Sequence, residues 1–249
     1  MLLPPSETKR AGGSDAPLDF DGLALPVLAP QREAVVASLV ALSADPDHAA
    51  RVLKLSARQF GEIAVNAAVR SAPTMPAIDR YTGVLFDALD AGSLDEGARA
   101  WLGEHALIQT APLGPVGALD PIPSYRLAAG ASLPGVAPLK RMWADPVRAA
   151  FAALPGLVID LRSEAYAALG PIPDTVASTY VRVVSEGPDG AVRALNHFNK
   201  RSKGLLTRRL ALDRPDLRSV ADLVVWGAAV GIVIRGATRD GETELVVDG

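Results

Sequence analysis

Leu157-Val158-Ile159-Asp160-Leu161 is a five-residue run, apolar but for one acid. A run that short, with two β-branched residues at its centre, reads as a buried strand rather than a helix. Residues 176–185 then alternate apolar and polar, Gly187-Pro188-Asp189-Gly190 reads as a turn, and 191–197 as the returning hairpin strand. A second hairpin joins 230–235 to 242–247 around Arg239-Asp240-Gly241. Strands therefore crowd the second half of the chain.

The first half reads differently. Val35, Leu39 and Leu42 recur at helical spacing within residues 31–44. Asp45-Pro46 ends that helix and starts another, with Asp45 as N-cap and Pro46 in the first turn. Helices are expected over 48–55 and 57–69, with Ser56 between them, over 79–89 up to the stop at Gly92, and over 94–105. Leu2-Leu3 and 106–110 are candidate short strands. Residues 6–30 form a long loop, and 112–123, with four prolines and two glycines, a second loop. Later helices are expected over 139–154, interrupted at Pro146, and over 163–168, 198–212 and 219–225. Helices first and strands later argue for α+β rather than a repeating βαβ winding. No polar linker divides the chain, so residues 1–249 read as a single domain. Its helix-rich first half joins a mixed or antiparallel sheet from the second half.

Composition excludes several classes. There is no cysteine, hence no disulfide framework and no thiolate zinc site. His48, His105 and His197 are far apart and lack partners at ligand spacing, so no metal or cofactor is expected. No apolar run approaches the ~20 residues of a membrane span. Pro4-Pro5 follows Met1-Leu2-Leu3 at once, without a signal-peptide core, and a cytoplasmic protein is expected. Walker A, G-x-S-x-G and G-x-G-x-x-G motifs are missing. The formal charge is −3, yet eight basic residues against two acidic ones lie between Arg193 and Arg218. Such a segment is either a solvated helix face or a phosphate-binding surface.

Five motifs occur in order: Leu3-Pro4-Pro5-Ser6-Glu7-Thr8-Lys9-Arg10, Tyr81-Thr82-Gly83, Ser124-Tyr125-Arg126-Leu127, Asp160-Leu161-Arg162-Ser163-Glu164-Ala165-Tyr166, and 198–208 with Asn199-Lys200-Arg201-Ser202-Lys203-Gly204. Together they resemble the bacterial YaaA family of peroxide-stress-resistance proteins across essentially the whole chain. The resemblance implies a cytoplasmic protein linked to hydrogen peroxide resistance, limited intracellular iron and protection of DNA. It also implies an unusual α+β fold with a positively charged cleft, a helix–hairpin–helix element and DNA binding. The matching stretch here runs from Val52 through Lys54 and Arg58 to Asn66, and it lacks the glycine pair that lets a DNA backbone approach closely.

On this reading Lys200, Lys203, Arg208, Lys9, Arg126, Tyr125, Ser6, Lys54 and Arg58 are candidates for holding nucleic acid or another anion. Gly204 would let a backbone or ligand come near. Asp160, Ser163 and Glu164 are candidate catalytic residues at a strand-to-helix junction, with Glu164 as base or acceptor. Helix capping by Ser163 and Glu164 is the structural alternative. Two functions remain open. One is a DNA-binding protective protein that contacts phosphates without reading sequence. The other is an enzyme acting on a small anionic nucleotide or phosphorylated substrate in the same cleft.

Overall fold

The computed structural model describes residues 1–14, 16–186, 192–194 and 198–248. The strands are β1 (Leu2–Leu3), β2 (Met75–Pro76), β3 (Leu107–Thr110), β4 (Gly114–Gly117), β5 (Pro121–Ile122), β6 (Val158–Asp160), β7 (Ser178–Glu186), β8 (Val192–Ala194), β9 (Ile234–Gly236) and β10 (Glu242–Asp248). The helices are α1 (Ala29–Leu42), α2 (Pro46–Leu53), α3 (Glu62–Ala67), α4 (Ala77–Arg80), α5 (Val84–Leu89), α6 (Glu96–His105), α7 (Leu139–Phe151), α8 (Glu164–Ala167), α9 (Phe198–Asp213) and α10 (Val220–Ala229).

The α+β class stands, in one domain organised by one mixed sheet. Its strand order is β4-β3-β1-β6-β7-β10-β9. The five inner strands are parallel and the two edges antiparallel. β10 fills one side of β7, while β6 and β8 share the other. The parallel centre explains why Leu157–Leu161 reads as continuously apolar, since such strands are covered on both faces. The first half also supplies β1, β3 and β4, so the sheet draws on both ends of the chain. The Gly187–Gly190 turn and His197 lie outside the described residues.

Several sequence expectations need correction. Residues 112–123 are not all loop: Gly114–Gly117 forms β4 and Pro121–Ile122 pairs with Met75–Pro76. Pro115 is tolerated because β4 is an edge, where no second ladder needs its missing N–H. Gly114 has φ +64, and a Cβ there would stand 2.8 Å from the Trp143 ring. Trp143 fills that space and donates from Nε1 to Ala111 O at 2.9 Å. Residues 79–89 are not one helix either. They break at Tyr81-Thr82-Gly83, where Tyr81 bridges Lys9 and Gly83 has φ +95, a conformation that favours glycine.

Pro146 does not interrupt α7, which runs through it with Trp143, Val147 and Phe151 buried. That apolar stripe outweighs the one lost backbone bond. Ser219 caps α10 by accepting from Asp222 N, and Asp222 reciprocates.

Candidate functional site

The inner strands end at one edge of the sheet. Residues following parallel strands gather there, the usual place for ligand-binding side chains in sheets of this kind. β1 leads into Ser6 to Lys9, β3 ends at Thr110, and β6 ends at Asp160 and leads into Arg162 to Glu164. The long loop behind Lys9 is tied down. Arg80 donates to Arg10 O at 2.7 Å and Gly12 O at 2.8 Å. Arg32 holds Ala24 O at 2.6 Å and binds Leu113 O and Pro115 O, each at 2.9 Å.

Lys9 is half-buried, and its Nζ donates to Ser6 O at 3.1 Å and Glu7 O at 3.2 Å. It lies 4.2 Å from the Tyr125 ring centroid and 5.5 Å from that of Tyr81. Loss of hydration, then the Arg126 charge, lowers its pKa from 10.5 to about 8 against the pull of Glu62 and Glu7. The two tyrosine hydroxyls meet at 2.7 Å beneath it. Burial raises both phenols, and Tyr125 also bonds Thr110. Lys9, Gly12, Arg58, Glu62 and Ser124 line an open cleft of about 580 Å³.

Arg126 lies close enough to Lys9 to act on its charge. Its main chain is clamped by the buried Asn66, whose Oδ1 accepts from Arg126 N at 2.7 Å and whose Nδ2 donates to Arg126 O at 2.9 Å. Its guanidinium meets Glu7 at 3.0 Å. Ser6 Oγ lies 3.2 Å from Thr8 Oγ1, which donates to Thr82 O at 3.1 Å. Tyr166 extends this group towards the β6 junction. Its pKa is pushed up to about 12 by burial and by Glu7.

At that junction Asp160 is committed to Arg162. Both carboxylate oxygens accept, from Nε at 2.9 Å and Nη2 at 2.7 Å, and Arg162 N adds a third bond at 3.0 Å. Ser163 occupies the N-cap of α8 without a side-chain cap bond, and it is exposed. Glu164 is exposed and paired with Arg182 at 3.3 Å. Arg182 is also paired with Glu242. Among the described residues no three His, Cys, Asp or Glu side chains converge as a metal-binding group.

The basic helix α9 divides its cations. Lys200 is exposed. Lys203 is buried, donates to Arg162 O at 3.4 Å and lies 5.2 Å from the Tyr180 ring. Burial lowers its pKa to about 8, opposed by Asp160. Lys200 and Lys203 therefore do not present one shared solvent face. Arg208 donates to Leu89 O and Asp90 O, each at 2.9 Å, and so caps the end of α5. Gly204 packs against Leu85 of the same helix, so what comes near it is backbone from within the protein. Leu206 and Leu210 point inward, whereas Leu205 is exposed. Lys54, in the left-handed region at the end of α2, is exposed, and so is Arg58 beyond it.

The residues that sequence reasoning missed are the positioning ones: Arg32, Arg80, Asn66, Tyr166 and Arg182. Arg80 stands beside the Tyr81 motif and Tyr166 closes another, so both carried a signal. Arg32, Asn66 and Arg182 lie in ordinary-looking helix and strand.

Residues 1–227 match the family model described as peroxide stress protein YaaA. A UPF0246 protein of Corynebacterium glutamicum is 42% identical over 99% of both chains. One from Corynebacterium efficiens is 40% identical over 99% of both. One from Streptomyces coelicolor is 42% identical over 90% of this chain and 87% of its own.

Proposed function

This chain belongs to the YaaA family of peroxide stress proteins, and from that premise we propose that it protects DNA by holding phosphate backbone in the cleft of Lys9 and Arg58. The observation that carries this reading is the meeting of those two cations in one open cleft. Lys9 comes from the loop after β1, and Arg58 from the connection between α2 and α3. On this reading α2, that connection and α3 act as a helix–hairpin–helix, with Arg58 and Lys54 as its phosphate contacts. Ser124, Arg126 and Lys200 extend the surface. Contact is to phosphates and not to base edges, so binding is nonspecific. The protein works in the cytoplasm, and its effect on intracellular iron is indirect. Consistent with a non-membrane role, no helix among the described residues is long and apolar enough to cross a membrane.

The test is fluorescence anisotropy of a short duplex and a matching single strand, from low to moderate salt. Lys203 and Arg208 are bound inside the protein, so the informative variants are the exposed Arg58→Ala and Lys200→Ala. Each should weaken binding several-fold and reduce the salt slope by about one phosphate equivalent. Wild-type protein that fails to bind even at low salt rejects the proposal.

A second reading, turnover of a small anionic substrate, is favoured by one observation. Glu62 shares the cleft with Lys9 and Arg58, and Glu7 stands beside it on Arg126. Carboxylates repel a phosphate backbone but serve proton transfer in a compact site.

A further inference from the structure

We infer that Lys9 is an imine-forming amine, and that the cleft above it takes an aldehyde carrying a phosphate, as in the ring-opened form of a deoxyribose phosphate. The phosphate half of this inference rests on the anion-binding reading above; the amine chemistry stands on the geometry of Lys9 itself.

That geometry differs from that of a lysine used for phosphate contact alone. Such a lysine reaches out as a hydrated point charge. The Lys9 ammonium is instead drawn back onto two main-chain carbonyls and two aromatic faces, with the Tyr81–Tyr125 hydroxyl pair sealing the floor. Lys9 nevertheless lines the cleft of about 580 Å³, so a side chain held in place stands in the wall of an open cleft. A fixed, poorly hydrated lysine at the bottom of a pocket is the arrangement that makes an amine nucleophilic at neutral pH. Its lowered pKa leaves roughly a tenth of the side chain neutral at pH 7, against well under a thousandth for an ordinary lysine. The charged groups around it are Arg126, Glu62, Glu7 and Arg80, with Arg58 on the facing wall.

Lys203 supplies the contrast. Its pKa is also lowered to about 8, but it is buried, with its nitrogen donating to Arg162 O and lying over the Tyr180 ring.

The step balances without any oxidant. The neutral Nζ lone pair attacks the aldehyde carbon, and a C–N bond forms as the C=O π bond opens. A proton passes from nitrogen to that oxygen, with Glu62 as the nearby carboxylate able to carry it. Water then leaves and the C=N bond forms. Arg58 suits the phosphate of the same substrate, because a planar guanidinium binds such oxygens in pairs.

The sequence contains five lysines: Lys9, Lys54, Lys140, Lys200 and Lys203. With the α-amine of Met1 these make six primary amines, so reductive trapping can be mapped completely. The full chain is incubated with sodium cyanoborohydride and either free 2-deoxyribose 5-phosphate or an oligonucleotide holding one baseless deoxyribose. Adducts are then located by peptide mass spectrometry. The expected result is labelling of Lys9 at least tenfold above any other lysine, with a rate that rises as pH is raised towards 8. Lys9→Arg should abolish the adduct without altering the unfolding midpoint by more than a few degrees, and Arg58→Ala should slow trapping with Lys9 intact. Labelling by the free sugar phosphate alone identifies a small substrate, and labelling by the oligonucleotide identifies a strand; both uphold the inference. Absence of an adduct with both probes, or labelling spread evenly over the lysines, overturns it. Anisotropy on intact duplex separates the two proposals, since duplex binding without trapping rejects only the imine and trapping without duplex binding rejects only the strand reading.

Discussion

Replacing Gly204 with alanine tests whether α9 is seated by backbone contact or left open for a ligand. A Cβ at Gly204 would stand 2.2 Å from Leu85 O and 2.9 Å from Ala88 Cβ. Relaxed carbon contacts begin near 3.5 Å, so α5 and α9 must part by about 1 Å. Neither atom is the end of a flexible side chain, so the strain cannot be absorbed locally. Overpacking of this kind costs about 3 kcal/mol. The parting also strains the Arg208 bonds to Leu89 O and Asp90 O one turn away, worth about 1 kcal/mol. Alanine returns about 1 kcal/mol of helix propensity. The net loss is about 3 kcal/mol, a fall in Tm of roughly 6 to 12 °C for a chain of this length. Thermal and urea unfolding measure it, with Gly92→Ala as the control. A Cβ at Gly92 meets nothing within 4 Å, and its φ is not positive, so that change should be neutral or stabilising by up to about 1 kcal/mol. A Gly204→Ala midpoint within 1 °C of wild type would refute the close seating of α9 on α5.

Two further outcomes follow from the buried charges. Asp160→Asn leaves the buried Arg162 guanidinium with neutral acceptors alone, the remaining amide oxygen, Gln109 and Gly170 O, and no compensating charge, and should cost about 3 to 5 kcal/mol in urea unfolding; a loss under 1 kcal/mol would mean the pair is not held as described. Stability should also rise with pH above about 8. Burial lowers Lys9 and Lys203 from 10.5 to about 8 each, so between these values the unfolded chain binds protons that the folded chain has released, and deprotonation favours the folded state. Above pH 10 the sign reverses, because burial raises Tyr81 and Tyr125 and the unfolded chain loses their protons first. The urea midpoint should therefore climb from pH 8 and turn over near pH 10, and a flat or falling midpoint between 8 and 10 contradicts these assignments.

Much of this was legible in sequence because the signals were local. Asp45-Pro46, the alternation from 176, and the apolar run at 157–161 each announce their element within a few residues. The parallel pairing of β1 with β3 and β6 was not legible. It joins Leu2 to Leu107 and Asp160, and β1 spans only two residues, too few to carry a periodic pattern. β4 was hidden by Pro115, whose cost depends on its being an edge, a tertiary fact. The site was half visible for a similar reason. Motif residues such as Lys9, Tyr81, Tyr125 and Arg126 were singled out, but nothing local says that two tyrosine hydroxyls meet or that Asn66 clamps Arg126.

The same distinction governs the electrostatics. A count of basic residues between Arg193 and Arg218 suggests a charged surface, but the fold spends several of the chain's cations internally. Arg32 and Arg80 bind main-chain carbonyls, Arg162 is held by Asp160, Arg208 caps α5, and Lys203 is buried over Tyr180. An arginine that satisfies carbonyls offers little to a phosphate, because its donors are already used and its position is fixed. What a polyanion can meet is set instead by exposed cations, among them Lys54, Arg58, Lys200 and Arg201, which come from two different parts of the chain. If Lys54, Arg58 and Lys200 carry the contacts together with Lys9, the salt slope should correspond to about four phosphates and not eight. A slope near the larger number would mean that further exposed cations, such as Arg201, also contact phosphate, since the packing of Gly204 on Leu85 leaves the buried Lys203 no room to turn outward.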